Sequence, residues 1–295
     1  MLRTLTAACA LLALATPAMA QDEAALLDAV AAYEQPTNAG RLAVLTGQLD
    51  AAGLDYEIQT FEGGARGQPM TGSNVVVTLG EGERDLLLTA HYDAVVLQSG
   101  ELADGLVDNA ASTVALIEAA KVLRDRDLNH RVQIIFLDQE ELGLIGASRW
   151  IEANGTDHVA AVVNSDVAAF GDALMYGENN GERSAFVLTA LREECADRAL
   201  TCVGFPVYPP SDDRAFIAAE VPVVSIGFQN RIGAHQMWLA FNGGENPGLA
   251  QGFVPEVFQL IHSEGDVIEA VDPATVALAA EVYADLITRL VAAAQ

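Results

Sequence analysis

Basic residues are scarce in this chain of 295 residues: 15 lysines and arginines stand against 41 acidic residues, for a formal net charge of −26. Proteins that bind nucleic acids or anionic lipids need basic patches to neutralise phosphates, so the composition argues against both functions. An acidic surface attracts cationic solutes, such as peptides with a free amino terminus, and it also keeps a protein in solution. The composition alone leaves both explanations open.

The chain also lacks internal repeats, low-complexity tracts, linkers rich in proline or serine, and late hydrophobic runs long enough to span a membrane. Its apolar fraction of 51% excludes a disordered protein, and its length is enough to bury a sizeable core. These observations predict one folded domain without a membrane anchor.

The N-terminus has the pattern of a targeting segment. Arg3 is the only charged residue among the first 21, an apolar stretch follows at residues 5–16, and Ala18-Met19-Ala20 has the small residues of a cleavage site. This pattern is typical of a secretory signal peptide. We therefore expect a signal peptide at residues 1–20, a mature domain at residues 21–295, and a periplasmic or secreted protein.

Cysteine is nearly absent from the predicted mature chain. Cys9 lies in the signal peptide, which leaves Cys195 and Cys202, seven positions apart. In an oxidising compartment a lone pair this close in sequence favours a disulfide. Two buried free thiols remain the alternative reading of the pair.

Near-continuous apolar runs alternate with helical patterns along the chain. Strands are predicted at residues 75–79, 85–90, 131–137, 159–164, 173–176, 203–207 and 221–227. Helices are predicted at residues 22–33, 38–52, 111–126, 142–153, 183–197, 212–218 and 274–294. This alternation predicts a three-layer α/β/α sandwich around a mainly parallel, mixed sheet. Residues 228–253, rich in Gly and Asn, are predicted to form an irregular functional loop.

Acidic residues and a histidine follow three consecutive predicted strands. Ligands of open α/β sheets bind beyond the carboxyl ends of the strands, and imidazole and carboxylate groups are ligands that zinc uses. A residue of this set taken singly is equally consistent with a helix cap or a solvated turn. The set consists of His91 and Asp93, then Glu140 and Glu141, then Asp166, with Asp108 opening the helix after the first strand.

Two of the five histidines could complete such a site. His262 lies just past the irregular region and is followed by a serine and, four positions on, by Asp266. His235 lies inside the irregular region and is the rival ligand. His130 precedes a strand and His158 lies among Asn, Thr and Asp, so we expect both to be solvated turn residues.

Taken together, five motifs resemble the co-catalytic di-zinc exopeptidases. This family is typified by secreted bacterial leucine aminopeptidases and also contains glutamate carboxypeptidases and glutaminyl cyclases. The motifs occur in the family's order over residues 85–266, and the five together are far more specific than a lone Glu-Glu. The motifs are His91-x-Asp93, Asp108-Asn109-Ala110-Ala111-Ser112, Glu140-Glu141, Asn164-x-Asp166 and His262-Ser263-x-x-Asp266.

The resemblance implies two zinc ions per chain and a zinc-peptidase fold. His91 and Asp166 would bind one zinc ion. Glu141 and His262 would bind the other, and Asp108 would bridge the two. The family motif, with its trailing Ser and Asp, also favours His262 over His235.

The resemblance assigns roles to three further residues. Asp93 would accept the proton of the second ring nitrogen of His91, and Glu140 would be the general base. Tyr208 lies where relatives place pocket residues and is a candidate substrate contact, although packing against Pro209 explains it equally well. The family also implies a cis peptide bond after Asp108.

The implied activity is removal of amino-terminal residues from peptides by an exported zinc-dependent hydrolase. The alternatives are a carboxypeptidase or a glutaminyl cyclase of the same family, or a non-catalytic relative that acts as a binding protein. A carboxypeptidase favours a guanidinium as partner for the substrate carboxylate, and Arg214 and Arg231 are the candidates. The ligand-bearing segments carry many acids and few bases, which favours the aminopeptidase.

Two stretches depart from the family pattern. Relatives often carry Pro-Gly and a second Asp just before the bridging Asp, where this chain has Asp104-Gly105-Leu106-Val107-Asp108. Relatives often carry Ser-Asp-His where this chain has Ser211-Asp212-Asp213. Both departures concern the substrate pocket rather than the proposed metal ligands.

Overall fold

The computed structural model describes residues 17–64 and 68–293. These residues form an eight-stranded sheet, in which the strands lie side by side in the order β1-β2-β4-β3-β5-β8-β6-β7. Four of its seven neighbouring pairs are parallel and three are antiparallel. The strands are β1 Tyr56–Gly63, β2 Met70–Leu79, β3 Asp85–His91, β4 Arg131–Leu137, β5 Val159–Ser165, β6 Ala173–Gly177, β7 Thr201–Phe205 and β8 Val223–Gln229.

Helices pack on both faces of this sheet. The helices are α1 Pro17–Ala31, α2 Asn38–Ala52, α3 Ala111–Arg124, α4 Ile145–Asn154, α5 Ala185–Asp197, α6 Asp213–Ala218, α7 Arg231–Asn242, α8 Val257–Leu260 and α9 Pro273–Ala293. Most of the predicted signal peptide lies outside the described residues, which include only its last four positions, the start of α1. None of the described helices combines the length and the hydropathy that a membrane span requires.

The side chains of β3 alternate between two hydrophobic cores. Leu86 and Leu88 face the larger core, which α3 and α9 cover. Leu87 faces the smaller core, together with Trp150 of α4 and Phe216 of α6. Alternate residues of a strand point to opposite faces, so a central strand buried on both sides is apolar throughout. The predicted three-layer α/β/α sandwich is confirmed.

The prediction missed β1 and the first half of β2. These strands pair with each other through antiparallel hydrogen bonds, and β1 forms one edge of the sheet. Only part of β1 contacts the interior, since Glu57, Thr60 and Glu62 are exposed polar residues. An edge strand with one open face lacks the apolar run that marks the central strands, so its sequence does not predict a strand.

The prediction of an irregular loop at residues 228–253 is wrong for half of its length. Its first residues complete β8, and α7 occupies Arg231–Asn242. Asn230 caps this helix, because its side-chain oxygen accepts the backbone N–H of Gly233 at 2.8 Å. Gly233 is required by close packing, since a Cβ there would lie 2.5 Å from Gln229 Oε1. Asn230 and Gly233, residue types that favour a loop, therefore serve helix capping and packing here.

Several predicted boundaries shift. Strands β7 and β8 are offset by two residues from their predicted ranges. Helix α4 begins at Ile145, three residues later than predicted, because a turn follows β4 first.

The predicted disulfide is present: Cys195 of α5 is bonded to Cys202 of β7, which fastens this helix to the second edge of the sheet.

Candidate active site

Three parallel strands bring the predicted ligands to one edge of the sheet. His91 is the last residue of β3, and Asp166 directly follows β5, which pairs with β3. Strand β4 ends at Leu137, and a turn over the next residues carries Glu140 and Glu141. Because the strand has already ended, the two adjacent glutamates are free to point in different directions.

Asp108 lies at the centre of two triads of side chains. Its Oδ1 is 3.1 Å from His91 Nε2, and Asp166 Oδ2 is 4.0 Å from the same nitrogen. Its Oδ2 is 3.2 Å from His262 Nε2, which is also 3.2 Å from Glu141 Oε2. In each triad the three atoms that could bind a metal lie within 4.8 Å of one another. We call these the His91 triad and the His262 triad.

The donor atoms of both triads fit zinc. His91 Nε2, Asp108 Oδ1 and Glu141 Oε1 are buried, and none of them makes a well-aligned hydrogen bond. Such groups are costly to bury unless they are paired or bind a metal ion. Imidazole nitrogen and carboxylate oxygen are ligands that zinc uses, so each triad could hold one zinc ion.

Asp93 connects the His91 triad to the glutamate turn. The backbone N–H groups of Glu140 and Glu141 donate to its two carboxylate oxygens at 3.1 and 3.2 Å. One of these oxygens lies 3.4 Å from His91 Nδ1. Asp93 therefore links the histidine at the end of one strand to the turn after the next.

Asp266 fixes the turn that carries Asp108. Its carboxylate accepts the backbone N–H groups of Val107 at 2.5 Å and Asp108 at 3.2 Å. The peptide bond between Asp108 and Asn109 is cis, as the resemblance implies, and the bond after Asp166 is cis as well. His262, four residues before Asp266, follows the short helix α8 and has a φ of +56°.

Burial raises the pKa of several carboxyl groups beside the triads. It raises the pKa of Glu140 to about 10, and the charges of Asp212 and Asp166 add to the rise. It likewise raises the pKa of Asp166 to about 7 and that of Asp212 to about 8. Burial and mutual repulsion disfavour the ionised forms of these carboxyl groups. A bound cation would stabilise the ionised forms and offset that repulsion.

Asp108 is the exception among these acids. Burial alone would raise its pKa, but contacts with His262 and His91 outweigh burial and hold the pKa well below its usual range. The same contacts act on the rings. Hydrogen bonds with Asp108 and Glu141 raise the pKa of His262 to about 10, and the pKa of His91 is also raised despite its burial. Asp108 therefore carries the negative charge that both triads share.

A cavity of about 320 Å³ opens beside the triads. Asp108, Glu140, Asp166 and His262 are among its polar lining residues. Among the described residues, no lysine or arginine lines it. Most of its other lining residues are apolar: Val167, Met175, Pro209, Pro210, Met237, Phe241, Val257, Phe258 and Ile261.

The rival residues lie outside this arrangement. His235, on α7, belongs to neither triad, and its Nδ1 lies 2.7 Å from the carbonyl oxygen of Arg231. The guanidinium of Arg231 donates to Asp172 at 2.9 Å on the surface. Arg214 is exposed on α6, and neither arginine lines the cavity.

Tyr208 is buried and lines the cavity. Its hydroxyl is buried without a hydrogen-bond partner, and its ring packs edge-on against Phe205 with the centroids 5.4 Å apart. A Cβ at Gly227 would lie 3.0 Å from this hydroxyl, so the glycine makes room for it. The position of Tyr208 is compatible with the predicted substrate contact.

Two residues beside the triads were not identified from the sequence. Both carboxylate oxygens of Asp212 are buried without a hydrogen-bond partner. The Ser-Asp-Asp stretch was a detectable signal, but it pointed only to the pocket. Arg41 of α2 is fully buried and contacts the segments that carry His91 and Asp108, yet no sequence motif surrounds it.

The sequence matches a known family over most of its length. Residues 74–287 match the family model described as peptidase family M28. This range contains all five side chains of the two triads. Aminopeptidase YwaD of Bacillus subtilis (strain 168) is 34% identical over 65 residues, which are 22% of this chain and only 13% of that relative.

Solved structures share the fold at low sequence identity. A glutaminyl cyclase from Porphyromonas gingivalis is 17% identical, with a TM-score of 0.71 over 91% of this chain and 97% of its own. BSAP, a zinc aminopeptidase from Bacillus subtilis, is 18% identical, with a TM-score of 0.59 over 74% of this chain and 49% of its own. At these identities the likeness shows the architecture of the chain.

Proposed function

The chain belongs to peptidase family M28, and from this premise we propose that it is a zinc-dependent aminopeptidase that removes single residues from the amino terminus of peptides. The observation that carries the proposal is the cavity beside the two triads, whose lining combines three carboxyl groups with mostly apolar side chains. The carboxyl groups suit the charged amine of a peptide's first residue, and the apolar lining suits its side chain.

The proposed metal centre would hold two zinc ions. His91 and Asp166 would bind one, Glu141 and His262 would bind the other, and Asp108, which contacts both histidines, would serve both sites. When bound, zinc would supply a Lewis acid for the scissile carbonyl and would lower the pKa of a water molecule. The buried donor atoms of His91, Asp108 and Glu141, none of which makes a well-aligned hydrogen bond, support this assignment.

Glu140 is the proposed general base. It lines the cavity but belongs to neither triad, so its carboxylate is free to take a proton from the attacking water. The same carboxyl then donates that proton to the amine that leaves. Asp93 has a positioning role, because it accepts the backbone N–H groups of Glu140 and Glu141 and lies beside His91.

Amino-terminal specificity follows from what lines the cavity. A carboxypeptidase site favours a guanidinium near the metals, and none of the described arginines lines this cavity. An amino-terminal ammonium needs the opposite charge, which Asp108, Glu140 and Asp166 supply. Tyr208, which also lines the cavity, is a proposed contact of the substrate.

We further propose that the enzyme is exported. The signal-peptide pattern of residues 1–20 and the disulfide between Cys195 and Cys202 support a periplasmic or secreted location for a domain at residues 21–295. Peptides present outside the cytoplasm are then its substrates.

The test uses the purified, zinc-loaded protein and matched p-nitroanilides. Leucine p-nitroanilide should be hydrolysed, and its N-acetylated form should not, because acetylation removes the charged amine. Release of the last residue from N-blocked dipeptides would instead identify a carboxypeptidase. Ring closure of amino-terminal glutamine without peptide cleavage would identify a glutaminyl cyclase.

A further inference from the structure

Arg41 is a fully buried arginine that lies outside the segment matched by the family model. We propose that Arg41 is a positioning residue of the metal centre: it joins the segment that carries His91 and Asp93 to the segment that leads to Asp108. This inference rests on the proposed zinc site, not on which end of the peptide the enzyme cleaves.

The guanidinium of Arg41 donates hydrogen bonds to both segments at once. Its Nε donates to the carbonyl oxygen of Tyr92 at 2.6 Å, and Tyr92 stands between His91 and Asp93. Its Nη1 donates to the carbonyl of Asp104 at 2.6 Å, and its Nη2 donates to that of Gly105 at 3.0 Å. A further bond from Nη1 reaches the carbonyl of Tyr33 at 3.0 Å.

The segments are shaped to receive this side chain. Gly105 has a φ of +61°, and a Cβ there would lie 3.1 Å from Arg41 Nη1 and 2.6 Å from Ala94 Cβ. Asn38, one turn earlier on α2, accepts the backbone N–H of Ala94 at 3.1 Å. Helix α2 thus holds the chain after β3 through two side chains, and glycine permits the close approach.

The charge of Arg41 also interacts with acids in and beside the two triads. Each of its hydrogen bonds ends on a backbone carbonyl, so no carboxylate pairs with it directly. Burial lowers its pKa, while Tyr33 and then Asp93, Asp266 and Asp108 act in the opposite direction. The cation therefore offsets part of the repulsion among the proposed ligand Asp108 and the two neighbouring acids Asp93 and Asp266.

The effect on the two triads should be unequal. His91 and Asp108 are two of the three members of the His91 triad, and both lie next to backbone that Arg41 holds: His91 directly precedes Tyr92, and Asp108 follows Gly105 by three positions. Only Asp108 is shared with the His262 triad, whose other members come from the turn after β4 and from the chain after α8. Loss of Arg41 should weaken zinc binding mainly in the His91 triad.

The test compares Arg41→Met and Arg41→Lys with Arg126→Met as matched control. Arg126 is partly buried and bonds the carbonyl of Ala284 and the carboxylate of Asp285. It lies beyond the far end of α3, roughly 20 Å of helix away from the site. Zinc affinity is measured by competition with a buffered chelator, and folding of the zinc-free proteins by circular dichroism.

Arg41→Met should fold and should lose about 10–100-fold in affinity for one of its two zinc ions, the usual effect of removing a group that orients a ligand. Arg41→Lys should recover part of this loss, because it keeps the charge but cannot bond both segments. If Arg41→Met does not fold, Arg41→Lys carries the test, with weaker binding of one zinc as the expected result.

Wild-type zinc affinity in a folded Arg41 variant would overturn the inference. The same loss of zinc in Arg126→Met would overturn it too, because general destabilisation would then explain both results. The proposed function can fail without the Arg41 inference failing. If the wild-type protein binds two zinc ions but does not cleave amino-terminal residues, the aminopeptidase proposal is wrong, and the zinc affinities of the variants still test the role of Arg41.

Discussion

His91 and His262 contact opposite oxygens of Asp108, but their surroundings differ. The His91 side chain is 1% exposed and ends a central strand that is buried over its whole length. The His262 side chain is 53% exposed and follows a helix of four residues. One proposed zinc site is thus built into the sheet, whereas the other is completed by a surface segment.

The difference shows that the central sheet positions the His91 side of the site, whereas a surface segment positions the His262 side. Asp93 and Arg41 both act on the His91 side, through the backbone of the strand ends. On the other side, Asp266 holds the backbone at Asp108 from the same segment that carries His262. We expect the His262 site to exchange its metal ion more readily, because its histidine is open to solvent.

The largest effect is expected from removing the residue that the triads share. Asp108→Ala deletes an oxygen ligand from both proposed sites, so zinc content should fall far below that of the wild type and peptidase activity should be lost. Zinc is measured by elemental analysis after gel filtration. Asp172→Ala, which breaks a surface ion pair with Arg231, is the control and should keep both. Two zinc ions per chain in Asp108→Ala would show that it is not shared.

A second change should abolish chemistry while leaving both triads filled. Glu140→Gln should keep its zinc and its fold but lower kcat by roughly 10²–10⁴-fold, because the variant cannot accept a proton from water. Glu152→Gln, an exposed glutamate on α4, serves as the control. If Glu140→Gln instead loses zinc and regains activity when zinc is added back, the roles of Glu140 and Glu141 are exchanged.

The smallest expected effect is a difference in thermal midpoint between alanine variants of the two histidines. His91→Ala should lower both zinc content and the thermal midpoint of the zinc-free protein, because it leaves a cavity at the end of a buried strand. His262→Ala should lower zinc content and leave that midpoint nearly unchanged. Equal shifts of the midpoint in the two variants would contradict the distinction between a built-in and an added site.

The ligand-bearing edge was predictable because its signals are local. His91, the glutamate pair and Asp166 stand at or just after the ends of three apolar strands, which can be recognised in the sequence. Parallel pairing brings these strand ends together. His262 was harder to assign, since it follows no strand. Only its resemblance to a family motif favoured it over His235, which the structure places on the exposed side of α7.

The remaining features depend on contacts that leave no sequence pattern. Arg41 bonds carbonyl oxygens about fifty and sixty positions away, and every residue type supplies a carbonyl. The edge strand β1 has too few buried positions for its alternation to be recognised. Helix α7 is not predicted from the sequence, because its cap and its packing use Asn230 and Gly233, residues that usually indicate a loop.

Anomalous diffraction at the zinc edge, from crystals of the zinc-loaded protein, shows whether two zinc ions share Asp108. Two peaks are expected. One should be bound by His91 and Asp166, the other by Glu141 and His262, and both should contact Asp108. A single peak, or a second peak bound by residues outside these triads, would show that Asp108 does not join two zinc ions.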